Sequence, residues 1–531
     1  MKVRASAALF ISMILYLISE IGETNCQNST TSNIRIIVDY DEMDKKYANR
    51  NPSDKEGQNY SFSKQVMISV VKYFQAVLKV KNQTENNTFT DLNLDDQITV
   101  IPGKTFTGDV YIGFYVFSDG NTKTLVTGKY QDRAANGRPT SGFVNINLQK
   151  VTPSPANSLN YFGSVARALF QILVFHTDHY AKYITSSGSV IGQTNLISNT
   201  GSKYFYKYNG EVLKYVQTYI GDTTITNISL EDGFETQPSG AWELDFWPND
   251  VGSPTETIPS TMSPLSMYLA GDSGWYTVDQ TLVVPQTFGK LFGRKFQDTT
   301  KCPGDRSPRP SGFCPFSDLG KSLCSPDGFH KAVCRTDSVY NNRCAYLAGT
   351  VLCTVPSSDY GSEFDSRREI LGTSSRCIQT VISGFSKAMC AKTSCNEQGD
   401  IQVEFYNGDK CTCLTSFQGA TVSCGGNSVQ CPDATSSATI CASLDRLKQQ
   451  CPNDCSGKGF CLGLTDGSKT CQCIYGWQGE DCAMANPDEP LLTIAGTFTT
   501  SQNSTSSNTR FSFLSRFTLA SFLSVSVSWF L

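Results

Sequence analysis

The chain has 531 residues, of which 39% are hydrophobic and 17% are charged, and its net charge is −4. This length allows two to four domains, each with its own hydrophobic core. Because nucleic-acid-binding proteins carry a basic surface, the slightly acidic charge excludes that class, and we expect no nucleic-acid partner.

The N-terminus is typical of a secretory signal peptide. Lys2 and Arg4 precede an apolar run over residues 5–18, and small or polar residues follow it. A transmembrane helix needs about 20 apolar residues, which is longer than this run. We therefore predict a signal peptide over residues 1–25, with cleavage within 19–25.

An α+β domain is predicted over residues 26–300. Apolar residues at helical spacing predict a helix over Ser63–Val80, which begins with a capping serine. Residues 108–130 alternate around the turn sequence SDGN, which predicts a β-hairpin. A turn and a strand follow over residues 136–148, and the segment Val165–Tyr180 predicts a second helix that ends before His176.

The second predicted helix carries a polar pair on an otherwise apolar surface. Its apolar residues recur at spacings of three and four: Phe162, Val165, Leu169, Ile172 and Leu173. Arg167 and Gln171 are four residues apart and therefore share one face. Such a pair faces either solvent or a cleft, and for an arginine we expect solvent.

Two of the three histidines in the chain follow this helix directly. His176 and His179 are three residues apart, with Asp178 between them. We expect both to be exposed loop histidines. The alternative is a metal site that they share with Asp178.

The cysteines divide the chain near residue 300. Cys26 stands alone, and the other twenty lie between Cys302 and Cys482. An even number in an oxidising compartment predicts about ten disulfides. The repeated CxxC pairs of zinc ribbons do not occur. We therefore predict a cysteine-rich domain over residues 301–450, after an N-terminal domain that relies on its hydrophobic core.

The last six cysteines close with the pattern C-x-C-x-x-G-W-x-G-x-x-C, so that residues 451–482 resemble an EGF-like module. The resemblance implies the disulfides Cys451–Cys461, Cys455–Cys471 and Cys473–Cys482. The acidic residues of calcium-binding EGF modules are missing, so we expect no calcium site there. Such a module serves either as a rigid stalk or in adhesion, and the spacing does not distinguish the two.

The C-terminus is typical of a GPI-attachment signal. A Ser/Thr-rich stalk over residues 483–508 precedes the predicted signal, residues 509–531, which ends in an apolar tail. The candidate attachment residues are Ser504, Ser506, Ser507 and Asn508. The alternative, a terminal membrane-spanning helix, needs a longer apolar run than residues 517–531 provide.

Six Asn-X-Ser/Thr sequons lie between the two terminal signals, as expected for a chain in the secretory pathway. The predicted acceptors are Asn28, Asn59, Asn82, Asn86, Asn227 and Asn503. Together with the terminal signals they predict a location at the outer leaflet of the plasma membrane.

Several stretches, taken in order, resemble the leishmanolysin family of zinc metalloendopeptidases. They are GRPTSGFVNIN from Gly137, the second predicted helix, GAWELDFWPND from Gly240 and SPLSMYLAGDSGWYTVD from Ser263. The similarity covers roughly residues 100–450, and DSGWY (Asp272–Tyr276) is its most distinctive part. It implies a metzincin-like fold for the N-terminal domain.

Members of that family hold zinc with H-E-x-x-H on a helix and a third histidine, followed by a methionine turn. The resemblance places Arg167, Ala168 and Gln171 at the H-E-x-x-H positions and Ala241 at the third histidine. The methionine is also missing from the following segment, PNDVG. Because an arginine offers no lone pair to a metal, we expect no catalytic residue, no metal site and no cofactor.

We therefore predict a GPI-anchored, catalytically inactive relative of the family that acts in adhesion, recognition or surface coating, with an unknown protein or peptide ligand. One alternative is an active zinc metalloendopeptidase whose ligands are misaligned, with zinc as its cofactor. Another is a passive structural coat protein without a specific ligand.

Two smaller hypotheses concern the missing metal. The Arg167 guanidinium takes the place of zinc and pairs with Glu243 or Asp250, because a cleft shaped around a dication keeps acidic partners. Cys26 lies in the region where family precursors carry a zinc-blocking cysteine, and without zinc such a thiol has nothing to block.

Overall fold

The computed structural model describes residues 31–48, 54–81, 86–93, 100–121, 124–152, 155–231, 238–254 and 262–283, and separate shorter stretches between residues 286 and 485. Several predictions lie outside these residues: the signal peptide, Cys26, the stalk, the GPI signal with its candidate residues, and the sequons at Asn28, Asn82 and Asn503.

The N-terminal region combines helices with several small sheets. Its helices are α1 (Asp41–Tyr47), α2 (Lys55–Val77), α3 (Pro155–Leu173), α4 (Gln193–Leu196), α5 (Glu211–Ile220) and α6 (Pro264–Asp272). Its strands are β1 (Ser32–Asn33), β2 (Ile36–Asp39), β3 (Leu78–Val80), β4 (Asn87–Thr88), β5 (Leu92–Asn93), β6 (Val100–Ile101), β7 (Thr105–Phe106), β8 (Val110–Phe117), β9 (Val126–Tyr130), β10 (Ser141–Asn147), β11 (Ile197–Thr200), β12 (Lys203–Tyr206), β13 (Ile228–Ser229) and β14 (Tyr276–Val278).

A four-stranded mixed sheet with the order β2-β8-β10-β9 forms the centre of this region. β10 pairs in parallel with β8 and antiparallel with β9, and β8 pairs in parallel with β2. All but one of the β10 residues are buried. The predicted mixture of helices and strands is therefore confirmed, with β10 in the middle of the sheet and β9 at its edge.

The predicted hairpin over residues 108–130 is wrong. Both of its strands exist, as β8 and β9, but they lie on opposite sides of β10. The apolar strand β10 takes the central position because it buries both faces there, and a two-residue turn cannot join strands that a third strand separates.

Helix α2 begins at Lys55 rather than at the predicted Ser63. Asp54 is its N-cap and accepts a hydrogen bond from Glu56 N, whereas the Ser63 hydroxyl donates within the helix to Asn59 O at 2.7 Å. The predicted end is also wrong, since the last three residues form β3, which pairs with β1 and β14. Apolar periodicity does not separate a helix from a short buried strand that continues it.

The structure argues against a glycan on Asn59. This residue is 3% exposed on the inner face of α2, and its Nδ2 donates to Leu148 O at 2.8 Å. An N-linked glycan attaches to that nitrogen, so it is incompatible with this packing. Asn86 is exposed and Asn227 is half-buried, and their glycosylation stays a prediction.

Helix α3 lies close against β9 and β10. A Cβ on Gly128 of β9 would overlap with the backbone of Ala168, and a Cβ on Gly142 of β10 would crowd Ile172. The predicted apolar stripe of α3 is confirmed, because all five of its residues are buried. Glycine at these two strand positions therefore lets the helix approach the sheet.

Strand β2 is tied to the sheet by a buried ion pair. Asp109 is completely buried, and its carboxylate accepts hydrogen bonds from Arg35 N at 2.8 Å and Arg35 Nε at 3.1 Å. Arg138 is 2% exposed and places Nη2 3.9 Å from the same carboxylate. Two cations thus compensate one buried carboxylate, which gives the Gly137–Pro139 stretch a structural role.

The cysteine-rich region consists mainly of strands. They are β15 (Ser322–Cys324), β16 (His330–Arg335), β17 (Tyr346–Leu352), β18 (Ser375–Ile382), β19 (Phe385–Cys395), β20 (Ile401–Glu404), β21 (Lys410–Cys413), β22 (Thr421–Cys424) and β23 (Asn427–Gln430). β15 to β17 form one sheet, and the other six form a sheet with the order β21-β20-β19-β18-β23-β22. Its two outer strands are not hydrogen-bonded to each other but are joined by Cys411–Cys424, so the sheet curls into an open barrel, called the barrel below.

Seven disulfides hold this region together, as predicted. They are Cys302–Cys344, Cys314–Cys334, Cys324–Cys377, Cys353–Cys390, Cys395–Cys441, Cys411–Cys424 and Cys413–Cys431. The main hydrophobic core of the N-terminal region also includes Phe313 and Tyr346. The two regions therefore share a packed boundary.

Two short hairpins follow the barrel. β24 (Gly459–Gly463) pairs with β25 (Lys469–Cys473), and β26 (Trp477–Gln478) pairs with β27 (Met484–Ala485). The cysteine side chains of residues 451–482 lie outside the described part of the chain, so the EGF-like pairing stays a prediction. Among the described helices, none is long and apolar enough to span a bilayer.

Candidate functional site

A half-buried polar stripe on α3 occupies the positions that the resemblance assigns to zinc binding. Arg167 and Gln171 are half-buried, whereas Ala168 between them is buried. Nη1 of Arg167 donates a hydrogen bond to the carbonyl oxygen of Pro254. Arg167 is therefore held against a neighbouring loop, and the expectation that it points into solvent is wrong.

Ala241 lies beside the same loop. It is 4% exposed, and its carbonyl oxygen accepts a hydrogen bond from Glu231 N at 3.0 Å. The next residue, Trp242, donates from its backbone N to Gly252 O at 2.9 Å, two residues before Pro254. The structure thus brings the α3 stripe and Ala241 against one segment, in agreement with the resemblance.

Asp250 starts this loop as part of a buried network. Its carboxylate accepts hydrogen bonds from the hydroxyls of Ser263 and Ser266 and, at 2.7 Å, from Gly252 N. The Ser266 oxygen in turn accepts from Trp242 Nε1 at 3.0 Å. Burial raises the pKa of Asp250 to about 6, although the three hydrogen bonds act in the opposite direction.

The hypothesis of an Arg167–Asp250 ion pair is wrong. The described partners of the Asp250 carboxylate are hydroxyl and amide groups, and the described acceptor of Arg167 is a carbonyl oxygen. A pair between Arg167 and Glu243, which is 8% exposed, stays a prediction.

His179 is completely buried, so the expectation of an exposed loop histidine is wrong for it. Its Nε2 lies 3.0 Å from Ile172 O, and its Nδ1 lies 2.9 Å from Nη2 of Arg133. A carbonyl only accepts and a guanidinium only donates, so Nε2 carries the proton and Nδ1 accepts. Burial, assisted by the Arg133 charge, lowers the pKa of His179 to about 3. The neutral ring therefore binds the C-terminal end of α3.

His176 caps the turn that follows α3. The helix ends at Leu173, so both histidines follow it as predicted, and the His176 Nδ1 accepts a hydrogen bond from Asp178 N at 3.2 Å. The hydroxyl of Tyr130 donates to the exposed carboxylate of Asp178, and this hydrogen bond lowers the pKa of Asp178. Burial lowers the pKa of His176. Both residues thus have structural partners in the turn.

These residues do not fit a zinc ion. Zinc needs three or four lone-pair donors at tetrahedral positions. The stripe offers a guanidinium, a methyl group and an amide, Ala241 offers a second methyl group, and His179 uses both of its ring nitrogens. Within the described stretches, no three His, Cys, Asp or Glu side chains come together as a metal site.

Within the described part of the chain, the outer edge of β9 next to the stripe has no strand partner. Gln131 N donates to Ser141 O and Asn147 N donates to Leu125 O, both at 2.8 Å, so the odd-numbered residues of β9 face β10. The even-numbered residues direct their N–H and C=O groups away from the sheet: Val126, Gly128 and Tyr130. No described strand pairs with this edge.

Helical geometry places the stripe beside that edge. Ala168 lies over Gly128 of β9, and Ile172 lies over β10. Since each residue turns an α-helix by about 100°, Ile172 is about 40° from Ala168 in the direction of β10. Around the helix axis, Gln171 is about 60° from Ala168 and Arg167 is about 100° from it, both in the opposite direction. Both side chains therefore lie beyond the outer edge of β9. The stripe and the open edge therefore border one groove, which we call the β9 groove.

Comparison with known proteins identifies the relatives of the chain. No protein-family model matches it. A 325-residue segment is 23% identical to the Ciliated left-right organizer metallopeptidase of Xenopus laevis, over 57% of this chain and 42% of that protein. A 201-residue segment is 22% identical to the Leishmanolysin-like peptidase of Drosophila melanogaster, over 31% of this chain and 29% of that protein.

The chain is similar to these two peptidases, one of which is named leishmanolysin-like. In each case, the matched segment of this leishmanolysin-like chain spans less than half the length of the relative. The seven disulfides indicate an oxidising compartment, as expected for a secreted or cell-surface protein.

Sequence reasoning missed the role of Asp272 in this fold. Its carboxylate accepts hydrogen bonds from Glu211 N at 2.7 Å and Val212 N at 3.2 Å, in the first turn of α5, and from the Tyr206 hydroxyl at 3.0 Å. Burial raises the pKa of Asp272 to about 6. The sequence feature that could have indicated this role is Gly210, directly before α5. A Cβ at that position would overlap with the Asp272 carboxylate, so the close approach requires glycine.

Proposed function

We propose that this leishmanolysin-like chain is a non-catalytic protein of the cell surface that binds extended peptides in recognition or adhesion. The observation that carries the proposal is Arg167, a permanent cation at the position of the first zinc ligand that donates to Pro254 O. A guanidinium offers no lone pair, and its charge opposes a metal dication at the same place.

Peptide binding needs only the backbone groups of the β9 groove. An extended peptide can add a strand to an open sheet edge, and the main-chain hydrogen bonds then supply the affinity. β9 offers such an edge through Val126, Gly128 and Tyr130. Because this mode of binding does not involve a metal, it survives the loss of the zinc ligands.

The surface location belongs to the same proposal. A signal peptide over residues 1–25 and a GPI signal over residues 509–531 would bring the chain to the outer leaflet, and the stalk with the EGF-like module would raise the barrel and the β9 groove above the membrane. Treatment of intact cells with a phospholipase that cleaves GPI anchors should release the protein.

The test of inactivity combines zinc content with proteolysis. We expect the purified full chain to carry zinc well below one equivalent and to leave quenched-fluorescence peptides intact, with or without a chelator. The matched control is the fourfold variant Arg167→His, Ala168→Glu, Gln171→His and Ala241→His, which restores the family ligands and should take up zinc. One tightly bound zinc per wild-type chain, with chelator-sensitive cleavage, would establish the active metalloendopeptidase instead.

The test of peptide binding uses backbone chemistry. Labelled ten-residue peptides should lose affinity when alternate amides on one edge are N-methylated, and should keep it when the amides on the other edge are methylated, because a single edge pairs with β9. If no extended peptide binds at any composition, the passive coat protein is the better description.

A further inference from the structure

We propose that the β9 groove selects acidic peptides. The inference rests on the proposed peptide binding and adds the charge of the ligand. It follows from the side chains that line the two faces of a strand added to β9.

A strand added to β9 directs alternate side chains to the two faces of the sheet. On the face covered by α3, these side chains meet Arg167 and Gln171, both half-buried. On the other face they lie beside Thr127 and Lys129 of β9, which are both exposed. Each face of the added strand therefore has one cation of the protein next to it.

Two acidic groups near the groove accept hydrogen bonds from other side chains of the protein. The Asp250 carboxylate is buried and accepts hydrogen bonds from two serine hydroxyls. Asp178 lies at the Tyr130 end, where it accepts the hydrogen bond of the Tyr130 hydroxyl. The Arg133 guanidinium lies 4.1 Å from the centre of the Tyr130 ring and adds a positive charge at the same end.

This charge distribution favours glutamate or aspartate in the bound strand. Opposite charges on neighbouring strands stabilise their pairing, and like charges destabilise it. A guanidinium also binds a carboxylate through two parallel hydrogen bonds, which neutral side chains cannot reproduce. We expect the strongest effect near the Val126 end, away from Asp178.

The experiment measures fluorescence anisotropy of labelled ten-residue peptides with the purified full chain. Three peptides share one sequence and differ at four alternating positions, which carry glutamate, glutamine or lysine. The glutamate peptide should bind at least about fivefold more tightly than the glutamine peptide, and the lysine peptide more weakly than both. The preference should shrink between about 0.05 M and about 0.5 M salt, because salt screens exposed charges.

Two variants assign the preference to the groove. Lys129→Gln and Arg167→Gln should each lower the ratio of glutamate to glutamine affinity by about two- to fivefold. Lys410→Gln removes an exposed lysine from the barrel and should leave that ratio unchanged. Because Arg167 also bonds to Pro254, the exposed position Lys129 gives a test that does not depend on the packing of the loop.

The outcomes separate this inference from the proposed function. If the glutamate and glutamine peptides bind equally, and N-methylation of one edge abolishes both interactions, peptide binding holds and the acidic preference is wrong. If the glutamate peptide is preferred but both groove variants keep the full preference, the groove is not the origin of the charge selection. If none of the peptides binds, the proposed function and this inference both fail.

Discussion

The N-terminal region and the cysteine-rich region reach stability by different means. The N-terminal region packs the long helices α2 and α3 on a mixed sheet, and no cysteine occurs between Cys26 and Cys302. The cysteine-rich region has small clusters of buried apolar residues and seven described disulfides. A large core makes cross-links unnecessary, whereas strands around small cores need them.

The same difference bears on the site. The β9 groove lies in the region that is held by packing, and its four degenerate positions can change without breaking a cross-link. A metal site in such a domain is an addition to the core, so a domain of this kind can keep its fold without one. The comparison of the two regions predicts how each responds to chemical change.

Reduction of the disulfides should have the largest effect. The seven pairs close loops of 13 to 53 residues, and one disulfide of this kind contributes about 3 kcal/mol. A strong reductant should therefore unfold the barrel, as seen by circular dichroism. The emission of the buried residues Trp242 and Trp275 should change little, because they lie in the uncross-linked region, whereas Trp247 lies near the shared boundary through Phe296 and Phe313. A simultaneous change in both signals would show that the two regions unfold as one unit.

Removal of Asp109 should destabilise the N-terminal region strongly. The substitution Asp109→Ala leaves Arg138 buried without its carboxylate, and such an unpaired charge costs about 3–5 kcal/mol. Urea unfolding followed by tryptophan fluorescence measures the loss. Glu42→Ala, at an exposed pair with Lys45, is the control and should leave the unfolding midpoint in place. Equal midpoints for both variants would contradict the structural role of the buried pair.

The stabilising contribution of Asp250 and Asp272 should fall as the pH rises from about 4 to about 6, while the lowered pKa of His179 acts in the opposite direction. Asp250 and Asp272 have pKa values raised to about 6 by burial, so the folded chain holds protons that the unfolded chain has already released in this interval. The stabilisation is complete below the unfolded pKa and is lost above the folded pKa. Each carboxyl contributes on the order of 2–3 kcal/mol.

The variants Asp250→Asn and Asp272→Asn test this pH dependence. Each should remove the contribution of its own carboxyl, so that between about pH 4 and about pH 6 the unfolding free energy of the variant rises with pH relative to that of the wild type, most of all in the double variant. Urea titrations at several pH values provide the measurement. If the double variant shows the same dependence of unfolding free energy on pH as the wild type, the proton uptake belongs to other groups.

The smallest effect is expected at Asn59. The substitution Asn59→Ala removes the hydrogen bond to Leu148 O and should cost about 1 kcal/mol. It should not lower the mass of the secreted protein by the mass of a glycan, because we expect this buried amide to carry none. Asn86→Gln, at an exposed sequon, is the comparison and should remove one glycan. A glycopeptide that contains Asn59 would contradict the packing of α2.

Local patterns in the sequence predicted the elements better than their partners. The apolar stripe of α3 was predictable because helical periodicity depends on neighbours three and four residues away. The hairpin failed because β8 and β9 both pair with β10, and strand order depends on residues far apart in the chain. The burial of His179 was missed for a similar reason, since its partner Arg133 lies 46 residues earlier.

The proposed lack of zinc chemistry rests on residue types at four positions. Arg167, Ala168, Gln171 and Ala241 lack the imidazole and carboxylate groups that the family resemblance requires, and no folding step supplies them. The open edge of β9 could not be read in this way. It results from the strand order and from the register that points Val126, Gly128 and Tyr130 outward.

The sequence by itself determined which chemical groups the chain owns: the paired cysteines after residue 300, the relation to leishmanolysin-like peptidases and the arginine in place of a zinc ligand. The tertiary structure alone decided which of these groups meet. It buried His179 and Asn59, gave Asp250 to two serines rather than to Arg167, and set the α3 stripe along the edge of β9. The physical reason is that side-chain chemistry is local, whereas burial and strand pairing are set by contacts between distant parts of the chain.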